Sequence, residues 1–396
     1  MEMNRTWNQH VVKKENKSLV LETIIGCSPI SRADIANQTG LNKGTVSSLV
    51  NELHQEQLIY ESGPGVSSGG RRPVMLLFKQ EAGYSIGIYI GVNYILGILT
   101  DLQGEIYHER TIKFNQLTYE EITNELFQVI DSLISAMPPS HYGIVGIGIG
   151  VPGIISTDGQ ILLAPNLNWK NKNLKGLLED HYHLPVHIEN EANAGAYGEK
   201  RFGAGKDSDN IIYVSVGIGI GVGLILNGEL YKGINGLSGE LGHMTIEIDG
   251  LKCRCGDQGC WELYASEQAL IKNAEQKLPT ELHSNEDITL ENLLRLSESG
   301  NMDTMRLFEE IGMYLGIGIN NIINIFNPEQ IIIGNRLASS EKWLKGAMED
   351  KLKPSTFSTH HKDLTIDFSS LSTHSSAMGV AAFAVESFLI HNQQTH

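Results

Sequence analysis

Residues 239–262 read GELGHMTIEIDGLKCRCGDQGCWE. His243, Cys253, Cys255 and Cys260 offer one imidazole and three thiols, the donor set of a closed, four-coordinate structural zinc site. Protein ligands fill every position, so no open position is left for a hydrolytic water, and the zinc that this spacing predicts is structural rather than catalytic. Three of the chain's four cysteines crowd into this stretch, which points to metal rather than to disulfides in a cytosolic protein. Three buried free thiols beside a chance histidine is the competing reading. Cys27 stands alone and reads as a structural residue.

Upstream lie two glycine ladders, Gly146-Ile147-Gly148-Ile149-Gly150 and Gly217-Ile218-Gly219-Ile220-Gly221-Val222-Gly223. Neither fits the G-x-G-x-x-G of a dinucleotide fold, which opens a helix after one strand. The glycines alternate at strand spacing, and we expect β-turns at which backbone approaches a phosphate or a sugar. Glycine-spaced apolar runs at 84–99, 143–153, 211–226 and 329–334 are each followed by helical segments, so the body reads as α/β. Asp101-Leu102-Gln103-Gly104 predicts a hairpin turn.

The N-terminal region has a different texture. Leu19, Val20 and Ile24 predict a helix over 16–26. Ser31 before Arg32-Ala33-Asp34 predicts a capped second helix, ended by Thr39-Gly40. Asn42 predicts the cap of a third helix with the apolar face Val46, Leu49, Val50 and Leu53. Helix, glycine turn, helix is the helix-turn-helix plan. The outward positions Asn42, Lys43, Thr45, Ser47 and Ser48 can hydrogen-bond base edges or phosphates in a major groove. On these residues alone, a polar solvent face of a small bundle is the other reading. Two predicted strands follow, Leu58-Ile59-Tyr60 and Val74–Phe78, joined by a Gly/Ser-rich tip carrying Arg71 and Arg72. A hairpin tip with two arginines suits a DNA-binding wing, because guanidinium groups match phosphates and a narrow minor groove.

Charge follows the same division. The 396 residues carry a formal net charge of -16, yet residues 1–80 hold nine Lys/Arg against seven Asp/Glu. An acidic body with a mildly basic head excludes a protein that coats nucleic acid along its whole length and allows binding by the head. No apolar run approaches a membrane span and no signal-peptide pattern opens the chain, so a cytoplasmic protein with no membrane partner is expected.

Together, Gly148–Gly153 with its Pro152-Gly153, Ile188-Glu189-Asn190-Glu191-Ala192-Asn193-Ala194, the 217–223 ladder, Gly239–His243 and the cysteine cluster resemble the ROK family of repressors, open reading frames and kinases. The resemblance extends over essentially the whole chain. Gly69-Gly70-Arg71-Arg72-Pro73 resembles the repressor branch. Asn42–Ser48 and Val92–Gly97 are most similar to repressors of xylose utilisation in low-GC Gram-positive bacteria. The resemblance implies a winged helix-turn-helix at 1–79 and, at 80–396, a two-lobed actin-like, sugar-kinase-like (ribonuclease H-like) domain. Its lobes are expected at about 80–193 with the C-terminal helix near 380–391, and at 194–379. It implies a sugar in the inter-lobe cleft, held by Asn190, Glu191, Glu240, His243 and Glu262 with Gly153 backbone nearby. Palindromic operator DNA, a sugar effector (xylose) and a homodimer are the implied partners.

The kinase motifs of the family are altered here. Its Asp-x-Gly-x-Thr loop reads Tyr89-Ile90-Gly91-Val92-Asn93, its Gly-Thr-Gly loop reads Gly217-Ile218-Gly219, and its catalytic aspartate is Glu191. The strand and loop Asn327–Asn335 resemble the nucleotide side but end Gly-Asn. Phosphoryl transfer depends on positioned charges around the phosphates, so a non-enzyme is expected. The alternative is an active sugar kinase with an appended DNA-binding head; regulation by a protein partner is a third reading.

Overall fold

The computed structural model describes residues 9–64, 73–279, 287–352 and 364–392. Helix α1 (Gln9–Cys27), strand β1 (Ile30–Ser31), α2 (Arg32–Thr39), α3 (Lys43–Gln55), β2 (Ile59–Pro64) and β3 (Val74–Phe78) form the head. The sheet order is β1-β3-β2. Local capping fixes the turn between the helices. Ser31 accepts from the Asp34 amide at 3.2 Å and Asn42 from the Thr45 amide at 2.8 Å. Gly40 takes the left-handed conformation at φ 71°, where a side chain would be strained. Val46, Leu49, Val50 and Leu53 are buried with Val20, Ile24 and Ile35, as the helical periodicity predicts. Helix α1 begins earlier than its apolar residues indicate; Lys13 on the added turn pairs with Glu52 of α3, and Lys17 with Glu56 at its end. Cys27 is not a core residue: it is exposed at the end of α1, with Sγ 3.5 Å from Gln38 Oε1.

The body contains two five-stranded sheets. The first is built from β4 (Tyr84–Ile90), β5 (Tyr94–Asp101), β6 (Ile106–Lys113), β7 (Ile144–Val151) and, after the short strands β8 (Ile154–Ile155), β9 (Ile161–Ala164) and β10 (Trp169–Lys172), β11 (Val186–Asn190). Its order is β11-β7-β4-β5-β6. The second comprises β12 (Ile211–Val216), β13 (Ile220–Leu226), β14 (Glu229–Leu230), β15 (Gln330–Gly334) and β16 (Thr365–Phe368), in the order β14-β13-β12-β15-β16. The plan is the same in both: three antiparallel strands, then two parallel strands beyond the first. Helices α4 (Tyr119–Ala136) and α5 (Leu174–Tyr182) bury apolar faces in the core of the first sheet. Helix α6 (Glu191–Phe202) packs on β12 and β13 and along the terminal helix Ser375–Asn392, which covers β4 and β7.

The first glycine ladder is not a turn. Gly146, Gly148 and Gly150 lie within β7, and a Cβ on Gly148 would fall 2.1 Å from the Val380 carbonyl oxygen. Alternate glycines remove one face of the strand and let the terminal helix lie against bare backbone. The second ladder is divided. Residues 217–219 form the expected turn, but Gly221 and Gly223 lie in β13, where a Cβ on Gly223 would meet the Ala192 carbonyl of α6 at 2.3 Å.

The terminal helix also reaches the head. Val385 shares a core with Val20, Ile24, Leu53, Leu76 and Phe78, and Phe388 and Leu389 pack against it. The predicted turn Asp101–Gly104 is present, and Leu102 belongs to that same core.

Candidate effector cleft and metal centre

His243 ends a short 3-10 turn, Leu241–His243. The loop after it is closed by isolated bridges Thr245–Cys260 and Lys252–Gln258, and folds back at Gly256 and Gly259. Trp261 anchors this knuckle: it is fully buried, and its Nε1 donates to the Tyr314 carbonyl at 2.8 Å. The result brings ligand atoms of His243, Cys253, Cys255 and Cys260 within 4.8 Å of one another. Cys253 Sγ lies 3.6 Å from His243 Nδ1, and Cys255 Sγ 3.6 Å from Cys260 Sγ. A tetrahedral ion with metal–sulfur bonds of about 2.3 Å needs sulfurs about 3.8 Å apart, so the donors fit a metal. Burial pushes the Cys253 thiol up and the Cys260 thiol up to about 12. A bound cation reverses that preference and holds thiolates.

The second nitrogen of the imidazole, Nε2, faces Glu240 Oε2 at 4.0 Å, and Glu262 Oε1 lies 3.6 Å from Nδ1. Glu240, His243 and Glu262 are thus brought together beside the knuckle. Burial, the largest cause, and then the nearby Glu262 raise the Glu240 carboxyl, while His243 lowers it.

Across from them, Asn190 is the N-cap of α6. Its Oδ1 accepts from the Ala192 and Asn193 amides at 2.8 and 3.2 Å, and its Nδ2 donates to the Gly153 carbonyl at 2.8 Å. One amide hydrogen of Asn190 therefore stays free of these bonds. Gly153 is required by close approach, since a Cβ there would sit 2.4 Å from the Leu163 carbonyl. The 217–219 turn and the start of β13 run between this side and the knuckle. A Cβ on Gly219 would lie 2.6 Å from Glu262 Oε2, and one on Gly221 would lie 3.8 Å from Glu191 Oε1. The turn at 217–219 and the start of β13 thus bring backbone close to both carboxylates.

Glu191 is engaged by two hydroxyls of the protein itself. Oε2 accepts from the Tyr89 hydroxyl at 2.5 Å and Oε1 from the Ser215 hydroxyl at 3.4 Å. Burial raises its carboxyl above the usual range, partly offset by these two donors. Sequence reasoning noted Tyr89 only as a lost aspartate and did not find Ser215 or Asn335, whose Nδ2 donates to Ser215 Oγ at 3.0 Å. It also missed Glu189, buried on β11 and ion-paired with Lys232 beyond β14. A polar aromatic closing an apolar strand was the available signal for Tyr89.

On the head, Asn42, Lys43 and Ser48 are exposed, and Thr45 and Ser47 half-buried, on the side of α3 opposite its apolar face. The Asn42 oxygen is engaged as a cap, which leaves its amide hydrogens for an outside partner. Arg71 and Arg72 lie outside the described residues. Among the described residues, no helix is long and apolar enough to cross a membrane.

The profile of the ROK family matches residues 85–387. A xylose repressor of Bacillus subtilis (strain 168) is 45% identical over 382 residues, covering 96% of this chain and 98% of the relative. The crystal structure of a ROK family transcriptional regulator, a homologue of the Escherichia coli MLC protein, superposes with a TM-score of 0.82 at 28% identity, over 97% of this chain and 99% of that one. A ROK family glucokinase from Streptomyces griseus, solved with glucose and AMPPNP, has a TM-score of 0.71 at 27% identity; it covers 77% of this chain, and all of its own length is matched.

Proposed function

The chain belongs to the ROK family, and on that premise we propose that it is a sugar-responsive transcriptional repressor of xylose-utilisation genes, released from its operator when xylose binds between the lobes. The observation that carries this reading is the shared core of Val385 with Val20, Ile24 and Leu53, because it joins the sugar-binding body to the DNA-reading head. In this reading, Gly153, Asn190 and Glu191 on one side and Glu240, His243 and Glu262 on the other hold the sugar hydroxyls. Carboxylates and an amide supply the paired acceptors and donors that such a ligand needs. On the DNA side, Asn42, Lys43, Thr45, Ser47 and Ser48 meet the major groove, with Arg71 and Arg72 at the wing. A homodimer matches a palindromic operator.

A ligand alters DNA affinity only by binding two conformations unequally. Closing the lobes displaces α6, whose first residues line the cleft. Helix α6 is locked to the terminal helix: a Cβ on Gly379 would lie 1.8 Å from the Ala194 carbonyl, and Ser375 Oγ donates to the buried Glu199 at 2.7 Å. The terminal helix ends in the head's core. The segment around Lys79–Tyr84 provides a second route, with the Lys79 amide donating to the Leu58 carbonyl at 2.9 Å.

The metal in this reading is zinc, held by His243, Cys253, Cys255 and Cys260. It supplies no catalysis: it fixes the imidazole so that Nε2 faces the cleft.

The other reading is an active kinase, supported by the likeness to the glucokinase. Against it, Tyr89 stands where the phosphate loop of the family has its aspartate, and its hydroxyl occupies Glu191, the residue at the catalytic position. Titration of operator DNA with and without xylose tests the repressor reading; constant operator affinity overturns it. An ATP-coupled phosphorylation assay with xylose and glucose tests the kinase.

A further inference from the structure

Glu191 receives hydrogen bonds from both halves of the body. Tyr89 is the penultimate residue of β4 in the first sheet, whereas Ser215 belongs to β12 of the second. The direction of each bond is fixed. Asn335 Nδ2 can only donate, so it gives its hydrogen to Ser215 Oγ, and Ser215 is left to give its own to Glu191. Asn335 is itself held, since its Oδ1 accepts from the Arg336 amide at 2.8 Å. On the opposite side, the Tyr89 ring is 6% exposed and packs edge-on against Tyr94 at 5.4 Å. Burial and the neighbouring Glu191 raise the Tyr89 phenol well above its ordinary value, so it remains a donor. A carboxylate has about four lone-pair positions. Tyr89 and Ser215 take two of them and leave the others for a bound molecule.

We infer that Tyr89 is a positioning residue of the effector cleft: its hydroxyl orients the Glu191 carboxylate toward the sugar, and that orientation lasts only while the two lobes stay together. Tyr89 need not touch the sugar. It replaces a loop that would bind phosphate with a donor that makes Glu191 part of a buried link, Tyr89–Glu191–Ser215–Asn335, between the sheets. The inference rests on the proposed sugar cleft and adds to it the residue that sets the geometry of its innermost carboxylate.

The test uses the full-length, metal-loaded protein and Tyr89→Phe, which keeps the ring and removes only the hydroxyl. Calorimetry with xylose is expected to show about tenfold weaker binding, the usual consequence of losing a charge-assisted hydrogen bond. The pH profile is expected to move as well. Among the described residues, Tyr89, Tyr94 and Tyr213 are the titratable groups facing Glu191, all kept neutral by burial in this range, and Glu262 stands beside Gly219, two residues from the Gly221 that approaches Glu191. Removing a donor to the charged form raises the Glu191 carboxyl further. The loss of affinity on acidification therefore begins at a higher pH in Tyr89→Phe than in the wild type. A purely structural role for the phenol would not shift that profile. In a Glu191→Gln background, the Tyr89→Phe effect should largely disappear, because the two act as one unit; this cycle also separates local effects from a folding defect. An unchanged xylose affinity and pH profile in Tyr89→Phe, or full additivity with Glu191→Gln, overturns the inference and leaves the sugar cleft standing. Absence of sugar binding by the wild type overturns the cleft, and this inference with it.

Discussion

The hydroxyl of Tyr142, in the body, donates to the backbone carbonyl of Glu56, in the head, at 2.6 Å. The carbonyl belongs to the residue that ends α3, and the Tyr142 ring packs on Phe388 of the terminal helix at 4.8 Å. One side chain thus touches both the C-terminal end of α3 and the element that leads back to α6. Tyr142→Phe is expected to leave xylose affinity unchanged while reducing, about fivefold, the ratio of operator affinities without and with xylose. Fluorescence anisotropy on operator DNA measures that ratio, and an unaltered ratio removes Tyr142 from the coupling route.

Lys43 is exposed at the first turn of α3, and Arg71 falls in the sequence between β2 and β3, outside the described residues. If either contacts only phosphate, changing it to Ala weakens binding on all sequences and lowers the slope of log affinity against log salt by about one. Unchanged operator affinity in both variants would refute the assignment of helix and wing.

Freshly purified protein is expected to contain about one zinc per chain. Cys255→Ser should lower metal content, thermal stability and sugar response together, since metal binding is coupled to folding and the same ion fixes His243. Elemental analysis that finds no metal in the wild type contradicts the site.

Glu191→Asp shortens the carboxylate by one methylene. The expected outcome is a shift of about tenfold in the xylose-to-glucose affinity ratio toward glucose, within the range that such size differences produce. Calorimetry with both sugars on both proteins decides it: a constant ratio shows that Glu191 does not discriminate between them.

Gly148→Ala tests the reading of the first glycine ladder. The added methyl would fall 2.1 Å from the Val380 carbonyl, and backbone cannot retreat as a flexible side chain does. Overpacking of this kind costs about 1–3 kcal/mol. Gly143→Ala is not a suitable control, because Gly143 has φ 64°; Gly346, with open space around it, is. Equal unfolding midpoints for Gly148→Ala and Gly346→Ala would show that the terminal helix does not press on β7 there.

The sequence by itself determined what short-range chemistry controls. The caps Ser31 and Asn42 and the left-handed Gly40 mark the helix ends, and the spacing of Val46, Leu49, Val50 and Leu53 orients α3. His243, Cys253, Cys255 and Cys260 were legible as one donor set because few chemistries need that combination in so short a stretch. Only the tertiary structure decided what depends on distant partners. Gly148 needs its missing side chain because of Val380, and Gly223 because of Ala192; nothing near either glycine in the chain separates a helix contact from a phosphate-binding turn. Tyr89 and Glu191 are 102 positions apart, so nothing in the local sequence around Tyr89 announces that its hydroxyl engages the Glu191 carboxylate. The terminal helix shows the same limit: its apolar residues announce burial, but Ala377 lies with Tyr89 and Tyr94 while Val385 lies with the head. Hydrophobic burial is non-directional, so a run of apolar residues states that it will be covered, and the folded chain decides by what.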